Sequence, residues 1–259
     1  MSSGKDTPAD KASLERFANL GYEDFRRLAA DESLTPYEKI GFPDAYRQGK
    51  EPAIFADILA KVPTLRAPGA VVLDVGPGCS DVPRLLIQHC RALGHELHLV
   101  DSAEMLDQLD DVEGVHKTAA FYPECPELLA RLAGRTDAVI LYSVLQYIFV
   151  DASLWSFLDR TLPLLAPGGM MLLGDIPNQS MRKRFFASET GRAFHRAFTG
   201  RDEDPVVSYN QVEPGQIDDS VIFAILQRAR GAGFHAYALP QPAELPLANR
   251  REDILIVRP

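Results

Sequence analysis

The stretch Val71-Val72-Leu73-Asp74-Val75-Gly76-Pro77-Gly78-Cys79-Ser80-Asp81 decides how the rest of the chain is interpreted. Its first five residues are apolar apart from Asp74, which predicts a buried parallel strand. Gly76 and Gly78 predict a tight turn, and Ser80-Asp81 opens an amphipathic run that predicts a helix. Two glycines let the backbone approach a ligand closely, and the first N–H groups of the helix face that ligand. The arrangement is typical of nucleotide sites, although such a turn is also an ordinary way for a strand to enter a helix.

A second predicted strand, Glu96 to Asp101, follows one helix of suitable length (Val82 to Leu93) and ends in an acid. In a doubly wound sheet this carboxylate lies beside the Gly-rich turn and can accept hydrogen bonds from both hydroxyls of a ribose. A dinucleotide site also favours Gly or Ala three residues after the second glycine. That position is Asp81, whose negative charge would repel a pyrophosphate. The pattern therefore favours S-adenosylmethionine, which has no phosphate, over a dinucleotide.

With these residues, the chain resembles the class I S-adenosylmethionine-dependent methyltransferases of the small-molecule type, over roughly residues 70 to 176. Four segments carry the resemblance in the family's order: Asp74-x-Gly76-x-Gly78, Val100 to Leu106, Asp137 to Tyr147, and Leu164 to Met170. The resemblance implies an enzyme with an α/β fold, a doubly wound, Rossmann-like sheet of seven strands with an antiparallel last strand. It also implies S-adenosylmethionine as the cofactor.

The C-terminal part of the chain supports this choice. The predicted strands Phe234 to Leu239 and Glu252 to Arg258 would close the sheet as an antiparallel hairpin, which a dinucleotide-binding sheet usually lacks. We therefore expect a methyltransferase domain over residues 66–259, with a lid insertion after strand five at about 178–218. Residues 1–65 are expected to form an N-terminal tail and a helical cap.

Cofactor contacts are expected near the carboxyl ends of the strands, because ligands of open α/β sheets bind there. The resemblance implies these residues: Asp74, Gly76, Pro77, Gly78, Asp101, Ser102, Met105, Ala120, Phe121 and Ser143. Phe121 could stack on the adenine or could simply be a packed core aromatic.

Acceptor contacts are expected from the cap, the end of strand four and the lid: Tyr37, Tyr46, Arg47, Gln146, Arg182 and Arg184. The first three could contact the methionine carboxylate or the acceptor, or could belong to a packed connector. The triplet Arg182-Lys183-Arg184 could hold a carboxylate or phosphate, or could form a solvated helix face. Gln146 could orient a hydroxyl or cap a helix.

Three residues are candidates for catalysis. His195 is the one histidine of the six that falls in the expected lid, and an imidazole can accept a hydroxyl proton near neutral pH. Asp175, at the end of strand five, could orient that imidazole or act directly, and Tyr147 could position the acceptor. A core or surface histidine, a loop-bracing Asp175 and a packed Tyr147 are the alternatives.

The predicted activity is methyl transfer to a small-molecule acceptor, with a hydroxyl oxygen of a sugar, a nucleotide sugar or another metabolite as the expected acceptor. The chain lacks an Asn-Pro-Pro-Tyr or Asp-Pro-Pro-Tyr motif after strand four, which disfavours amide or exocyclic-amine methylation by that route. Two alternatives stay open. One is an NAD-dependent oxidoreductase, disfavoured by Asp81, and the other is a non-catalytic subunit that binds S-adenosylmethionine or a partner.

Composition sets the outer limits of these predictions. The 259 residues carry a net charge of −9, which disfavours a nucleic-acid backbone as the main partner. No N-terminal apolar run has the length of a signal peptide or a membrane span, so we expect a cytoplasmic protein without membrane contact. The cysteines at 79, 90 and 125 form no metal-type pair, so no metal is expected. A homodimer is left open as the assembly.

Overall fold

The computed structural model describes residue 17 and residues 20–211 and 213–259, and these contain one seven-stranded sheet. The strands are β1 (Val71–Val75), β2 (Glu96–Asp101), β3 (Val115–Ala119), β4 (Thr136–Tyr142), β5 (Leu165–Pro177), β6 (His235–Pro240) and β7 (Arg251–Val257). Their spatial order is β3-β2-β1-β4-β5-β7-β6, and β7 is antiparallel to both of its neighbours. The predicted fold class, with its antiparallel closing strand, is therefore confirmed.

Twelve helices are present among the described residues. Before β1 they are α1 (Tyr22–Ala30), α2 (Pro36–Lys39), α3 (Asp44–Arg47) and α4 (Glu51–Lys61). Within the first five strands they are α5 (Asp81–Leu93), α6 (Ala103–Leu106), α7 (Pro126–Leu132), α8 (Leu145–Asp151) and α9 (Leu154–Thr161). After β5 they are α10 (Gln179–Ala187), α11 (Glu189–Thr199) and α12 (Asp219–Gly231). None of these helices is long and apolar enough to cross a membrane.

The core consists of two apolar layers, one on each face of the sheet. Alternate residues of β1 point to opposite faces, so Leu73 packs in one layer and Val72 in the other. The first layer includes Leu132, Leu145, Phe157 and Ile225, and the second includes Ile54, Ile58, Leu86 and Ile87. Because helices cover both faces, the inner strands are mainly apolar on both of their faces, as the sequence pattern predicted.

The boundaries differ from the predictions mainly at prolines. The sequence predicts one helix over Leu154 to Leu165, but α9 ends at Thr161, since Pro163 has no N–H to donate, and a 3-10 turn then leads into β5. The sequence also predicts a helix from Phe121 through Leu132, but α7 begins at Pro126, which occupies its first position. The segment 37–50 has no regular apolar period and is predicted as an ordered loop, but it contains the end of α2 and all of α3.

The sequence predicts a loose polar tail from Met1 to about Ala12 and an amphipathic helix from Leu14. The tail and the start of this helix lie outside the described residues. Of that helix, the structure shows α1 from Tyr22 onward, with Gly21 at its N-cap. The predicted lid contains α10 and α11, and the chain from Arg201 to Asp218, except for residue 212, has no helix or strand.

Candidate active site

The carboxyl ends of β1, β2 and β4 meet at one edge of the sheet, and two neighbouring cavities lie there. The larger, which we call the strand-edge cavity, has a volume of about 140 Å³ and is roofed by Tyr22, Phe25 and Phe42. The smaller, the side cavity, has a volume of about 40 Å³ and is lined by Arg47, Asp74 and Ser80, among others. A shared wall separates the two cavities: Ile40, Gly76, Pro77, Tyr142 and Ser143.

The Gly-rich turn brings its backbone against both cavities. Gly76 and Gly78 have φ angles of +67° and +66°, which residues with a side chain rarely adopt. A Cβ atom at Gly76 would lie 2.7 Å from Val144, and one at Gly78 would lie 2.6 Å from Ile40. Glycine is therefore required at both positions, and the absence of side chains leaves the backbone open to a ligand.

Asp101 lies at the end of β2 with its carboxylate fixed by the backbone. The N–H of Gly78 donates to Oδ2 over 3.1 Å, and the N–H of Ser102 donates to Oδ1 over 2.7 Å. Burial raises the pKa of Asp101 to about 6, although these two hydrogen bonds oppose the shift. The carboxylate lines the strand-edge cavity, where its remaining lone pairs can accept hydrogen bonds from a ligand.

Asp74 is nearly fully buried at the end of β1 and faces the side cavity. Burial, and secondarily the charge of Asp101, raise the pKa of Asp74 to about 8. No hydrogen bond to its carboxylate comes from the described residues. A cationic ligand group in the side cavity would stabilise its charged form.

Arg47, from the cap, reaches the ends of β4 and β5. Its Nη2 donates to Ser143 Oγ over 2.6 Å and to Asp175 Oδ2 over 2.7 Å, and its guanidinium lies 4.2 Å from the centre of the Phe42 ring. Arg251 donates to the same Asp175 oxygen over 2.7 Å. The Nε of Arg47 is buried and has no hydrogen-bond partner among the described residues. Arg47 therefore retains one donor next to the side cavity.

Ser143 and Asp175 are backbone outliers in this cluster. Their φ angles are +62° and +59°, although neither residue is glycine. The Ser143 hydroxyl donates to Asp175, and the Asp175 N–H donates to Asp253 over 2.8 Å. Backbone strain of this kind persists only where the surroundings fix it, and it concentrates at functional sites.

Of the two residues after β4 that were predicted to contact the acceptor, Tyr147 lines the strand-edge cavity and Gln146 does not. Tyr147 lines the strand-edge cavity, its ring lies 4.7 Å from that of Phe25, and burial raises its pKa. Gln146 lines neither cavity, and its Nε2 donates to the Ser143 carbonyl over 2.8 Å.

Most predicted cofactor residues come together in the strand-edge cavity. Gly76, Pro77, Gly78, Asp101, Met105, Ala120, Phe121 and Ser143 all line it. The Phe121 ring also meets the Tyr22 ring edge-on, with 4.9 Å between centres. Ser102 differs, because its buried hydroxyl accepts from the Met105 N–H and caps α6.

The lid residues are not brought to these cavities. Arg182 and His195 line a third cavity, about 480 Å³, which is also lined by other residues of α10 and by residues 203–208, 211 and 213. Arg184 binds Asp219 on α12 at 2.5 Å. The chain turns away from the two cavities at Asn178, where β5 ends. The Asn178 N–H donates to the Arg250 carbonyl, and its side chain caps α10, so the chain continues on that side of the sheet edge.

Two predicted cap residues also lie outside both cavities. The Tyr37 hydroxyl donates to Asp81 over 3.3 Å, and burial raises the pKa of Tyr37 to about 12. Tyr46 lies on α3 and lines neither cavity. Conversely, the sequence analysis missed Phe25, Phe42, Ile148 and Asp151 as cavity residues. Ile148 and Asp151 could have been predicted, because they follow Val144 and Tyr147 by four residues each, which places them on the same helix face.

No protein-family model matches this chain, and no curated protein sequence matches it. Solved structures do match. The crystal structure of the CurJ carbon methyltransferase is similar at a TM-score of 0.54 and 15% identity, over 96% of this chain and 67% of that one. The plantazolicin methyltransferase BpumL, in complex with a triazolic desmethylPZN analog and SAH, is similar at 0.54 and 10% identity, over 95% and 98%. A SAM-dependent methyltransferase from Aquifex aeolicus is similar at 0.50 and 13% identity, over 86% and 98%. The chain therefore has the fold of the class I S-adenosylmethionine-dependent methyltransferases.

Proposed function

We propose that the chain transfers a methyl group from S-adenosylmethionine to a small acceptor, with a hydroxyl oxygen as the atom methylated. The observation that carries the proposal is the pair of neighbouring cavities at the ends of β1, β2 and β4. The strand-edge cavity offers the Asp101 carboxylate and apolar walls to a nucleoside. The side cavity offers the Asp74 carboxylate and the Arg47 guanidinium to an amino-acid group. The fold, which SAM-dependent enzymes share, supports the same assignment.

The residues of the two cavities fit this cofactor part by part. Asp101 would accept hydrogen bonds from the ribose hydroxyls, and Ala120 and Phe121 would flank the adenine. In the side cavity, Asp74 would hold the ammonium group and the free Nε of Arg47 would hold the carboxylate. Because Gly76 and Gly78 have no side chains, the part of the cofactor between the ribose and the amino-acid group would lie close to their backbone.

The cofactor supplies an electrophilic methyl group, so the protein needs chiefly to position the acceptor in line with it. The part of the strand-edge cavity near Phe25, Phe42 and Tyr147 would hold the acceptor. Because burial raises the pKa of Tyr147, this residue keeps its proton at neutral pH and positions the acceptor by hydrogen bonding. Asp175 forms ion pairs with Arg47 and Arg251, so its role is to hold these side chains in place and not to act on the acceptor.

A first experiment tests the cofactor. Calorimetry with S-adenosylhomocysteine and with NAD should show binding of the former only. Binding of NAD instead would support the oxidoreductase alternative and would overturn the proposal.

A second experiment tests the transfer. The protein is incubated with methyl-labelled S-adenosylmethionine and a panel of phenols, sugars and nucleotide sugars, and S-adenosylhomocysteine formation is followed. We expect formation that depends on one acceptor class, with the label on oxygen. Binding without turnover for any acceptor would support a non-catalytic subunit, and label on carbon, as the name of CurJ describes for that enzyme, would correct the acceptor atom.

A further inference from the structure

We infer that the acceptor has an aromatic or apolar body and a protonated amine, and that Asp151 binds this amine at the mouth of the strand-edge cavity. The inference rests on the proposed function and names the class of acceptor for that same site. The observation behind it is that carboxylates line the strand-edge cavity, whereas no basic side chain among the described residues does.

One face of α8 and the residue before it line the strand-edge cavity. Val144, Tyr147, Ile148 and Asp151 all contribute to its wall, and their spacing of three and four residues places them in one row. Asp151 is the last residue of α8 and is exposed, whereas Ile148 is buried. The row therefore leads from the interior of the cavity to a carboxylate at its opening.

The charged groups of the cavity are all acidic. Asp101 and Asp151 are the carboxylates among its lining residues, and no lysine, arginine or histidine of the described chain lines it. Asp101 already accepts two backbone N–H groups and is assigned to the ribose. Asp151 forms no ion pair or hydrogen bond with any described residue, so no described residue neutralises its charge.

The Asp151 carboxylate lies beside Gly21, the N-cap residue of α1. A Cβ atom at Gly21 would lie 3.3 Å from Asp151 Oδ2, a tight contact that glycine avoids. The Gly21 N–H is not its donor, since it donates to Asp24 over 2.9 Å. The Asp151 carboxylate therefore stands at the opening without being used as a cap for α1.

The nearby cations have other partners and do not line the strand-edge cavity. Arg47 and Arg251 bind Asp175, Arg26 binds Glu104 over 2.7 Å, and Lys39 donates to Gln108 over 3.0 Å. An anionic acceptor in this cavity would therefore meet two carboxylates and, among the described lining residues, no cation. A cationic group would instead meet Asp151 and the rings of Phe25 and Tyr147, and the faces of aromatic rings attract cations.

The reaction leaves the amine unchanged. The bond between sulfur and the methyl carbon breaks, and the bond between the acceptor oxygen and that carbon forms. The sulfur keeps the electron pair of the broken bond, and the hydroxyl proton leaves to water. The ammonium group on Asp151 acts only as an anchor.

Three phenols that differ in the charge of the tail test the inference: tyramine (cationic), 4-ethylphenol (neutral) and 3-(4-hydroxyphenyl)propionate (anionic). Their dissociation constants are measured on protein saturated with S-adenosylhomocysteine. We expect tyramine to bind about fivefold more tightly than 4-ethylphenol, as for an ion pair near the surface, and the propionate to bind most weakly. Asp151→Asn should abolish the preference for tyramine, whereas Asp110→Asn, the same change at an exposed site outside the cavity, should keep it.

The outcomes separate this inference from the proposed function. If S-adenosylhomocysteine does not bind, the proposed function itself fails. If it binds, but tyramine does not bind, or the three phenols bind equally, or Asp151→Asn keeps the order, then the assignment of the amine to Asp151 is overturned and the cofactor assignment stands.

Discussion

Arg47, from the N-terminal cap, donates a 2.7 Å hydrogen bond to Asp175 at the end of β5, and both side chains are about 95% buried. The cap is thus attached to the sheet by a charge pair out of contact with water. Breaking such a pair leaves a buried charge uncompensated, which is far more costly than breaking a surface pair.

We therefore predict that Arg47→Met lowers the free energy of unfolding by about 2–4 kcal/mol, with Arg251 limiting the loss because it still pairs with Asp175. Urea denaturation gives this quantity. The matched control is Arg228→Met, which breaks the half-exposed Arg228–Asp159 pair and should cost less than about 1 kcal/mol. Equal losses in the two variants would show that Arg47 does not anchor the cap.

Asp101 is expected to carry much of the affinity for the cofactor. Hydrogen bonds to a charged group contribute about 1.5–3 kcal/mol each, so Asp101→Ala should weaken S-adenosylhomocysteine binding at least about tenfold. Calorimetry measures the change, with Asp110→Ala as the control for removal of an exposed carboxylate. Unchanged affinity in Asp101→Ala would mean that the ribose is bound elsewhere.

Asp74 should strengthen ligand binding while it lowers the free energy of unfolding of the ligand-free protein near neutral pH. Its pKa is about 8 in the folded state and near 4 when unfolded, so between these values only the folded state holds the proton. The free energy of unfolding contributed by Asp74 therefore falls as the pH rises from about 4 to 8. Each unit of the pKa difference corresponds to about 1.4 kcal/mol.

Asp74→Asn removes this titration. The variant should gain stability relative to the wild type as the pH rises from about 4 to 8, with no further gain above 8, and should bind S-adenosylhomocysteine more weakly. Thermal or urea unfolding at a series of pH values gives the comparison. A difference independent of pH would show that Asp74 does not hold a proton in the folded free protein.

How far the sequence predicts this site depends on whether the information is local. The Gly76 and Gly78 turn and Asp101 were predicted correctly as neighbours because the strand, turn and helix pattern alone determines that geometry. The roof formed by Phe25 and Phe42 was not predicted, since it depends on how the cap folds over the sheet edge. Likewise, nothing local indicates that the chain after Asn178 runs toward Arg250 and α12, which takes His195 to a separate cavity.

His195 and Tyr147 should therefore behave differently when substituted. We expect Tyr147→Phe to lower kcat/KM about tenfold or more, because it removes the hydroxyl that we propose positions the acceptor, with the affinity for S-adenosylhomocysteine unchanged. His195→Ala should change turnover less than about threefold, because the imidazole lies in the third cavity. A hundredfold loss in His195→Ala, as expected of a general base, would show that the lid closes over the strand-edge cavity during catalysis.

The most direct test of the central claim is a crystal structure of the protein with S-adenosylhomocysteine. We predict that the ribose hydroxyls lie within hydrogen-bonding distance of the Asp101 carboxylate, and that the adenine lies beside Phe121. The amino-acid end should lie in the side cavity, between Asp74 and Arg47. A ligand bound elsewhere, or with its amino-acid end outside the side cavity, would contradict the account.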